Sequence, residues 1–324
     1  ACLYTRNDVA LKTIPLFAEI LFNANFPEHE FVKLVERKKQ KFIVNYEKLS
    51  YQARLRFSKL LFGKSNPYGL TIDEEAFQKI TREEAYQYYQ KKYLEGNFFL
   101  VVAGKISEEI IQSVSQGFGS TQIPESAKAG SPFFKVEQGN TGRHFVPKED
   151  ALQSAIRMGM LMPNKKHEDY NNLKVLNTIL GGYFGSRLMT NIREEKGYTY
   201  GIGSSLISLR NAGFFVISSE IRADVTSKAI DEIYKEIKVL QNELVGPEEL
   251  ETVKNYMIGN LLRGLDGPFA LAEATKSLYM DGLPYDFVQV FADDIRKVNS
   301  DQIKTLAKKY FAPEIFLELV IGRI

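Results

Sequence analysis

The chain has 324 residues, of which 44% are hydrophobic and 25% charged, a composition typical of a globular protein of about two domains. Its formal net charge of +2 gives no electrostatic basis for binding nucleic acid. The one cysteine, Cys2, excludes an internal disulfide and a cysteine-based zinc cage and leans towards a reducing, cytoplasmic compartment. No apolar run approaches the roughly 18 residues that a membrane span needs.

Two stretches of the chain, ending at Ile106 and Ile324, share one pattern. "REEAYQYYQKKYLEGNFFLVVAGKI" and "SDQIKTLAKKYFAPEIFLELVIGRI" each predict a helix ending in Lys-Lys-Tyr, a turn and a buried strand. Upstream, "RNDVALKTI" resembles "RADVTSKAI", and "PEHEFVK" resembles "PEELETVK". Because these pairs keep their order, we predict two copies of one α+β unit, the first lacking its opening strands and first long helix.

The predicted fold class is therefore α+β, with each repeat a largely antiparallel sheet covered by helices and the first repeat truncated at its N-terminus. The first domain covers 1–119, with a strand near 97–106. Residues 120–141 are predicted to be a linker, because "STQIPESAKAGSP" is small and polar and contains Pro and Gly. The second domain covers 142–324. Its strands are predicted near 143–147, 153–162, 198–208, 213–221 and 315–321, and its helices near 169–180, 186–196, 224–243, 247–264, 268–280 and 300–310.

The stretch "TNIREEKGYTYGIGSS" at 190–205 concentrates charged residues, glycines and tyrosines. Gly197, Gly201 and Gly203 do not form a phosphate loop, because they follow a helix and enter a strand, the reverse of the required strand–loop–helix order. Gly201 and Gly203 share one strand face, which indicates close approach by a neighbouring backbone or an extended peptide.

The segment "LGGYFGSRLMTNIREEKGYTYGIGSSL" at 180–206 resembles the second-domain signature of the insulinase/pitrilysin family of inverted zinc metallopeptidases. "NPYG" at 66–69 and "NFFLVVAGKI" at 97–106 resemble first-domain landmarks of that family. The resemblance covers essentially the whole chain and implies repeated α+β units. The family includes processing peptidases and the core subunits of respiratory complexes.

The same resemblance implies a zinc site built from His-x-x-Glu-His and a distant glutamate. No His-x-x-Glu-His exists in the sequence, and His29, His144 and His167 lie far from one another. Counting back from "NPYG", the distant ligand falls at or beside Phe42, with no carboxylate within four residues. The expectation is that this chain has no metal site and no cofactor, and that zinc belongs to a partner subunit.

In the family, the spacing Arg-x6-Tyr places a guanidinium and a phenol over the active site of the zinc domain. By resemblance, Arg193 and Tyr200 would contact the substrate and an oxyanion in a shared site. Tyr198, Gly201 and Gly203 are weaker candidates for substrate contacts. The competing interpretation is that Arg193 pairs with a nearby glutamate and that Tyr200 packs in the sheet.

The leading hypothesis is a metal-free subunit that holds an extended peptide and completes the active site of a zinc-bearing partner, as a heterodimer with a family subunit or as a homodimer. One alternative is a structural, core-like subunit with no catalytic role. The other is an active zinc endopeptidase whose His-x-x-Glu-His lies in a segment upstream of Ala1.

Overall fold

The computed structural model of the chain describes residues 1–96, 98–119 and 134–324. Most of the predicted linker, residues 120–133, lies outside these described residues. The chain forms two compact units. The first comprises Ala1–Ile43, Ile72–Pro132 and Gly264–Ser277, and the second comprises Val44–Thr71, Phe133–Arg263 and Leu278–Ile324. The second unit thus takes in a segment from each side of the division that the sequence suggests.

A five-stranded mixed sheet forms the centre of the second unit. Its strands are β1 Gly142–Pro147, β2 Gln153–Met162, β3 Thr199–Ser208, β4 Gly213–Arg222 and β5 Leu317–Gly322. The order across the sheet is β1-β5-β2-β4-β3, with β1 parallel to β5 and the other pairs antiparallel. The strand β3 is therefore an edge of the sheet.

Helices cover both faces of this sheet, and the α+β prediction is confirmed. They are α3 Leu49–Phe62, α7 Tyr170–Asn177, α8 Thr226–Asn242, α9 Pro247–Arg263, α11 Phe287–Lys297 and α12 Ser300–Tyr310. Alternate residues of β2 face opposite sides, as strand geometry requires. Ile156 and Met158 join the main core with α7, α8, α9, α11 and α12, whereas Ala155 packs with Ala53 and Phe57 of α3.

The described part of the first unit is helical. It contains α1 Ala10–Phe22, most of α2 Glu28–Tyr46, α4 Ala76–Lys79, α5 Arg82–Tyr89, α6 Glu108–Phe118 and most of α10 Gly267–Asp281. Ala10, Ile14 and Ala18 of α1 pack against Phe118 in a small core. The Tyr89 hydroxyl donates to the carbonyl oxygen of Leu21 at 3.0 Å, which ties α5 to the end of α1.

The strand predicted near 97–106 is not formed, so the prediction of a sheet in each repeat holds for the second unit alone among the described residues. Residues 98–103 are in no strand, and Leu100 and Val102 are more than 40% exposed. The physical reason is that this segment has no neighbouring strand, among the described residues, with which its backbone could form hydrogen bonds. The counterpart β5 is hydrogen-bonded between β1 and β2, and the described residues of the first unit contain no strand to play either part.

Helix boundaries in the second repeat agree with the sequence to within a few residues, but α11 was not predicted. Ala292 and Ile295 of α11 are buried, so its apolar face belongs to the core. Among the described helices, none combines the length and the apolar character needed to cross a bilayer.

Candidate functional site

Arg193 lies in a π-helical segment, Met189–Glu195. The Lys196 amide donates to the carbonyl oxygen of Asn191, five residues back, at 3.1 Å. Leu188, directly before this segment, and Ile192 within it are fully buried in the main core, which fixes the inner face of the segment. Such widened turns are rare and are frequently found at functional sites.

Two polar side chains fasten the Arg193 segment to neighbouring helices. Arg187, just before it, donates Nε and Nη2 to the two carboxylate oxygens of Glu249 on α9, both at 2.8 Å. The bond to Glu249 raises the pKa of the Arg187 guanidinium. Asn191 donates to Glu232 and Glu236 of α8 at 3.0 and 2.6 Å. The π-helical segment is therefore held at a defined place above the sheet.

A short turn carries the chain from this helix into β3. Gly197 has φ +63°, in the left-handed region that glycine tolerates best. The Tyr198 amide donates to the Ile192 carbonyl oxygen at 3.0 Å, and the Tyr198 carbonyl oxygen accepts from the Arg222 amide at 3.0 Å. Tyr198 is half-buried and packs against the main core. Its ring thus has a structural contact in addition to its candidate role.

The first residues of β3 form an irregularity between Thr199 and Ile202. The Thr199 hydroxyl donates to the Glu220 carbonyl oxygen at 2.6 Å, and the Ser219 hydroxyl donates to the Gly201 carbonyl oxygen at 2.8 Å. These bonds hold the residues on either side of Tyr200 while leaving its side chain 92% exposed. The competing interpretation, in which Tyr200 packs in the sheet, therefore fails.

Arg193 has an aromatic neighbour instead of an acidic one. Its guanidinium carbon lies 4.6 Å from the centre of the Phe184 ring, a cation–π contact. In the described part of the chain Arg193 forms no ion pair, although Glu194 and Glu195 follow it directly. Nor does any hydrogen bond among the described residues join Arg193 to Tyr200. The two are neighbours along one short stretch but are not hydrogen-bonded to each other.

Phe184 is the site residue that the sequence reasoning missed. Its side chain is 64% exposed, and the Arg193 guanidinium lies over its ring. A large apolar side chain is thus displayed on the surface beside Arg193. It belongs to the "LGGYFGSRL" motif, so its closeness in sequence to Arg187 and Arg193 was the available signal.

Two glycines of β3 have different surroundings. A β-carbon on Gly203 would lie 3.3 Å from the Gly181 carbonyl oxygen, so an internal neighbour accounts for the close approach there. A β-carbon on Gly201 would meet no atom within 4 Å. The space beside Gly201 is thus open, whereas Gly203 is approached by the segment that ends α7. The Gly201 amide nevertheless donates to the Thr199 hydroxyl oxygen at 3.1 Å, and its carbonyl oxygen accepts from Ser219.

The residues present do not fit a zinc ion. Phe42, at the expected position of the distant ligand, is buried and its ring centre lies 5.5 Å from that of Phe77. Across the described residues, no group of three or more His, Cys, Asp and Glu side chains could hold a metal. His167 instead accepts a hydrogen bond from the Asp169 amide, and His144 lies 3.2 Å from the Thr141 carbonyl oxygen.

The fold is that of a peptidase-related protein. The chain superposes on the crystal structure of a peptidase M16 inactive domain from Pseudomonas fluorescens, with a TM-score of 0.86 at 20% identity, covering 98% of this chain and 76% of that one. The family described as "Peptidase M16 inactive domain" matches residues 79–257, more than half of the sequence. The chain belongs to the peptidase M16 family, which confirms the insulinase/pitrilysin resemblance.

Relatives in this family carry different designations. The "Uncharacterized zinc protease YmxG" of Bacillus subtilis is 25% identical over 98% of this chain and 78% of its own length. The "Non-peptidase homolog YmxG" of Helicobacter pylori is 20% identical over 92% of this chain and 69% of its own length. Since both kinds of name occur among relatives, the activity of this chain must be argued from its own residues.

Proposed function

We propose that this chain is a metal-free M16 subunit that holds an extended peptide and completes the active site of a zinc-bearing partner. The observation that carries the proposal is that the Arg193 and Tyr200 side chains have hydrogen-bond donors that are unused within the described part of the chain, while the backbone that carries them is held by hydrogen bonds. Tyr200 is 92% exposed and Arg193 has no carboxylate partner among the described residues. Packing does not explain the exposed Tyr200 ring, and the contact of Arg193 with the Phe184 ring leaves the guanidinium without a hydrogen-bond acceptor among the described residues.

The chemistry of the pair suits a peptide carbonyl group. Arg193 is a permanently charged donor and Tyr200 a neutral one. Both can donate hydrogen bonds to a carbonyl oxygen, and both bonds strengthen if that oxygen gains negative charge during acyl transfer. Because the Arg193 segment and the start of β3 are each hydrogen-bonded to the rest of the second unit, little ordering is needed when substrate binds.

The open space beside Gly201 supports an extended substrate. The strand β3 is an edge, and an edge strand can accept a further strand through main-chain hydrogen bonds. Near Gly203 the Gly181 carbonyl oxygen already lies close, so the open part is the irregular start of the strand. Peptide pairing is therefore proposed at this irregular start of β3, next to Tyr200, with the peptide displacing the Thr199 hydroxyl group from the Gly201 amide.

The partner would be a zinc-bearing M16 subunit. Zinc on that partner would supply the activated water, and the residues of this chain would only bind and orient the peptide. The unsuitability of Phe42 as a ligand supports this division of roles.

The test is peptide cleavage by the purified chain mixed with a zinc-bearing M16 subunit from the same source. We expect Arg193→Met and Tyr200→Phe each to lower kcat about 100-fold, the usual effect of removing one donor to a developing oxyanion. Arg56→Met and Tyr285→Phe are matched controls, because both side chains are exposed and lie away from this site.

Unchanged cleavage in both site variants would refute the role of the pair and favour a scaffold subunit. Chelator-sensitive cleavage by this chain alone would refute the metal-free assignment.

A further inference from the structure

Arg157 is an arginine on the sheet whose side chain has no ionic or hydrogen-bonding partner among the described residues. It lies on β2 between Ala155 and Gly159, and strand alternation places it on the face that α3 covers, where Ala155 packs with Ala53. The side chain is half-buried. Within the described ranges of the chain it takes part in no ion pair and no hydrogen bond.

A second arginine is close to it. Arg54 directly follows Ala53 on α3 and is exposed, with its guanidinium carbon 4.9 Å from the centre of the Tyr51 ring. Burial and, to a smaller extent, the positive charge of Arg54 together lower the pKa of the Arg157 guanidinium to about 10. Two like charges thus meet where α3 borders the sheet.

This arrangement is costly in the free protein. A guanidinium withdrawn from water without a counter-charge loses hydration that nothing replaces. Its planar donors fit a carboxylate through two parallel hydrogen bonds, and such charge-assisted bonds are about twice as strong as neutral ones. A bound carboxylate would satisfy Arg157 and relieve the repulsion from Arg54.

One acidic residue of the sheet must be considered as an internal partner. Glu220 lies opposite Ala155 on β4, two residues from Ser218, which is opposite Arg157. Its side chain is exposed and forms no ion pair with Arg157, and it makes no contribution to the pKa of that group. Glu220 therefore leaves the need for a counter-charge unmet.

We propose that Arg157 and Arg54 form a carboxylate-binding site on the α3-covered face of the sheet, which takes an acidic side chain or the C-terminal carboxylate of a bound peptide. The site is separate from Arg193 and Tyr200. Ser218 links the two regions, because it pairs with Arg157 on one side and with Gly203 of β3 on the other. A peptide bound along β3 would need to turn inward over β4 to reach it.

The test uses three short peptides of otherwise identical neutral sequence. One carries an internal Glu and an amidated C-terminus, one is neutral with a free C-terminus, and one is neutral and amidated. Binding is measured by calorimetry to the full chain and to Arg157→Met, Arg54→Met and Glu220→Gln. Arg56→Met on α3 is the control for loss of a surface charge.

We expect one or both carboxylate peptides to bind at least about tenfold more tightly than the amidated neutral peptide, the effect of a hydrogen-bonded charge pair. Arg157→Met should abolish the difference, Arg54→Met should reduce it, and Arg56→Met and Glu220→Gln should preserve it. Whichever of the two carboxylate peptides binds more tightly shows whether the site takes an acidic side chain or a C-terminal carboxylate. If Arg157→Met does not fold, Arg54→Met alone decides.

Equal binding of all three peptides, no binding of any, or a carboxylate preference that survives in Arg157→Met and Arg54→Met would overturn the site. The preference should also persist in Arg193→Met, so failure of the proposed function and failure of this site give different results.

Discussion

Three glycines around β3 make a graded test of how tightly the candidate site is built. A β-carbon on Gly181 would lie 2.7 Å from both the amide nitrogen and the hydroxyl oxygen of Ser204, and 3.0 Å from Cδ1 of Leu188. On Gly203 the nearest atom would be the Gly181 carbonyl oxygen at 3.3 Å, and on Gly201 no atom lies within 4 Å. Replacing each with alanine adds the same methyl group to three different spaces.

The expected changes in free energy of unfolding follow from these distances. In Gly181→Ala a backbone nitrogen blocks the methyl group and cannot rotate away, so the overpacking cost of about 1–3 kcal/mol should appear near its upper end. In Gly201→Ala the methyl group is free, and the smaller entropy of the unfolded chain should stabilise the protein by about 0.5 kcal/mol. Gly203→Ala should fall between the two.

Urea denaturation monitored by circular dichroism measures all three, with an unchanged m-value as the sign that the same surface unfolds. Gly201→Ala has a second use, because a methyl group at that point would obstruct a peptide paired with the start of β3. We expect weaker partner-dependent cleavage from a protein of undiminished stability. If Gly181→Ala is as stable as Gly201→Ala, the close contact between the end of α7 and β3 is refuted.

Further predictions concern the supports of the site and the position of the expected zinc ligand. Arg187→Met should lower the free energy of unfolding by about 2 kcal/mol, which is less than for a fully buried ion pair because the Glu249 side chain is 32% exposed. In a double-mutant cycle with Glu249→Gln, the coupling energy between the two residues should account for most of that loss. The bond from Asn191 lowers the pKa of Glu232, so its stabilising effect is present above the unfolded-state pKa of about 4.3 and is lost as the pH falls through the lower folded value; the stability difference between wild type and Glu232→Gln should vanish in acid, and a difference that grows in acid would contradict this. Phe42→Glu should cost about 3 kcal/mol or more by removing a buried ring and burying a charge, and added zinc should not restore the melting temperature. Tyr200→Phe should change stability by less than about 0.5 kcal/mol, because the hydroxyl is in solvent.

Most of the second unit could be predicted because its signals are local. Alternating apolar residues define β2 and β4, and capping residues such as Asn299 mark helix starts; the Asn299 side chain accepts from the Gln302 amide, as in a capping box. The α11 helix carried an equally readable pattern, with Ala292 and Ile295 on its buried face. The sequence alone was therefore sufficient to predict this helix.

The strand near 97–106 shows a real limit. Its residues have the composition of a buried strand, but strand formation requires a hydrogen-bonding neighbour, which composition does not supply. The assignment of α3 to the second unit is a similar case. Phe57 and Leu61 are buried against that sheet, a long-range contact that no local pattern of α3 reveals.

The candidate site residues also fall into those that local sequence reveals and those that only the fold reveals. Arg193 and Tyr200 could be selected because they stand in a recognisable motif, and Gly201 and Gly203 because they alternate in a strand. Arg157 could not be ranked in this way, since its interest lies in what surrounds it. Only the fold shows that Arg157 is half-buried beside another cation.

Arg193 and Arg157 have in common a guanidinium group without an acidic partner among the described residues. Arg187 and Asn191 hold neighbouring acids at hydrogen-bonding distance, as expected of side chains that stabilise a fold. Arg193 and Arg157, within the same unit, form no such bonds in the described part of the chain, although a single substitution could remove either charge. Leaving a cation without a counter-charge costs free energy, which for Arg193 is offset by the contact with the Phe184 ring. In our two proposals the missing partners are the carbonyl and carboxylate groups of a bound peptide.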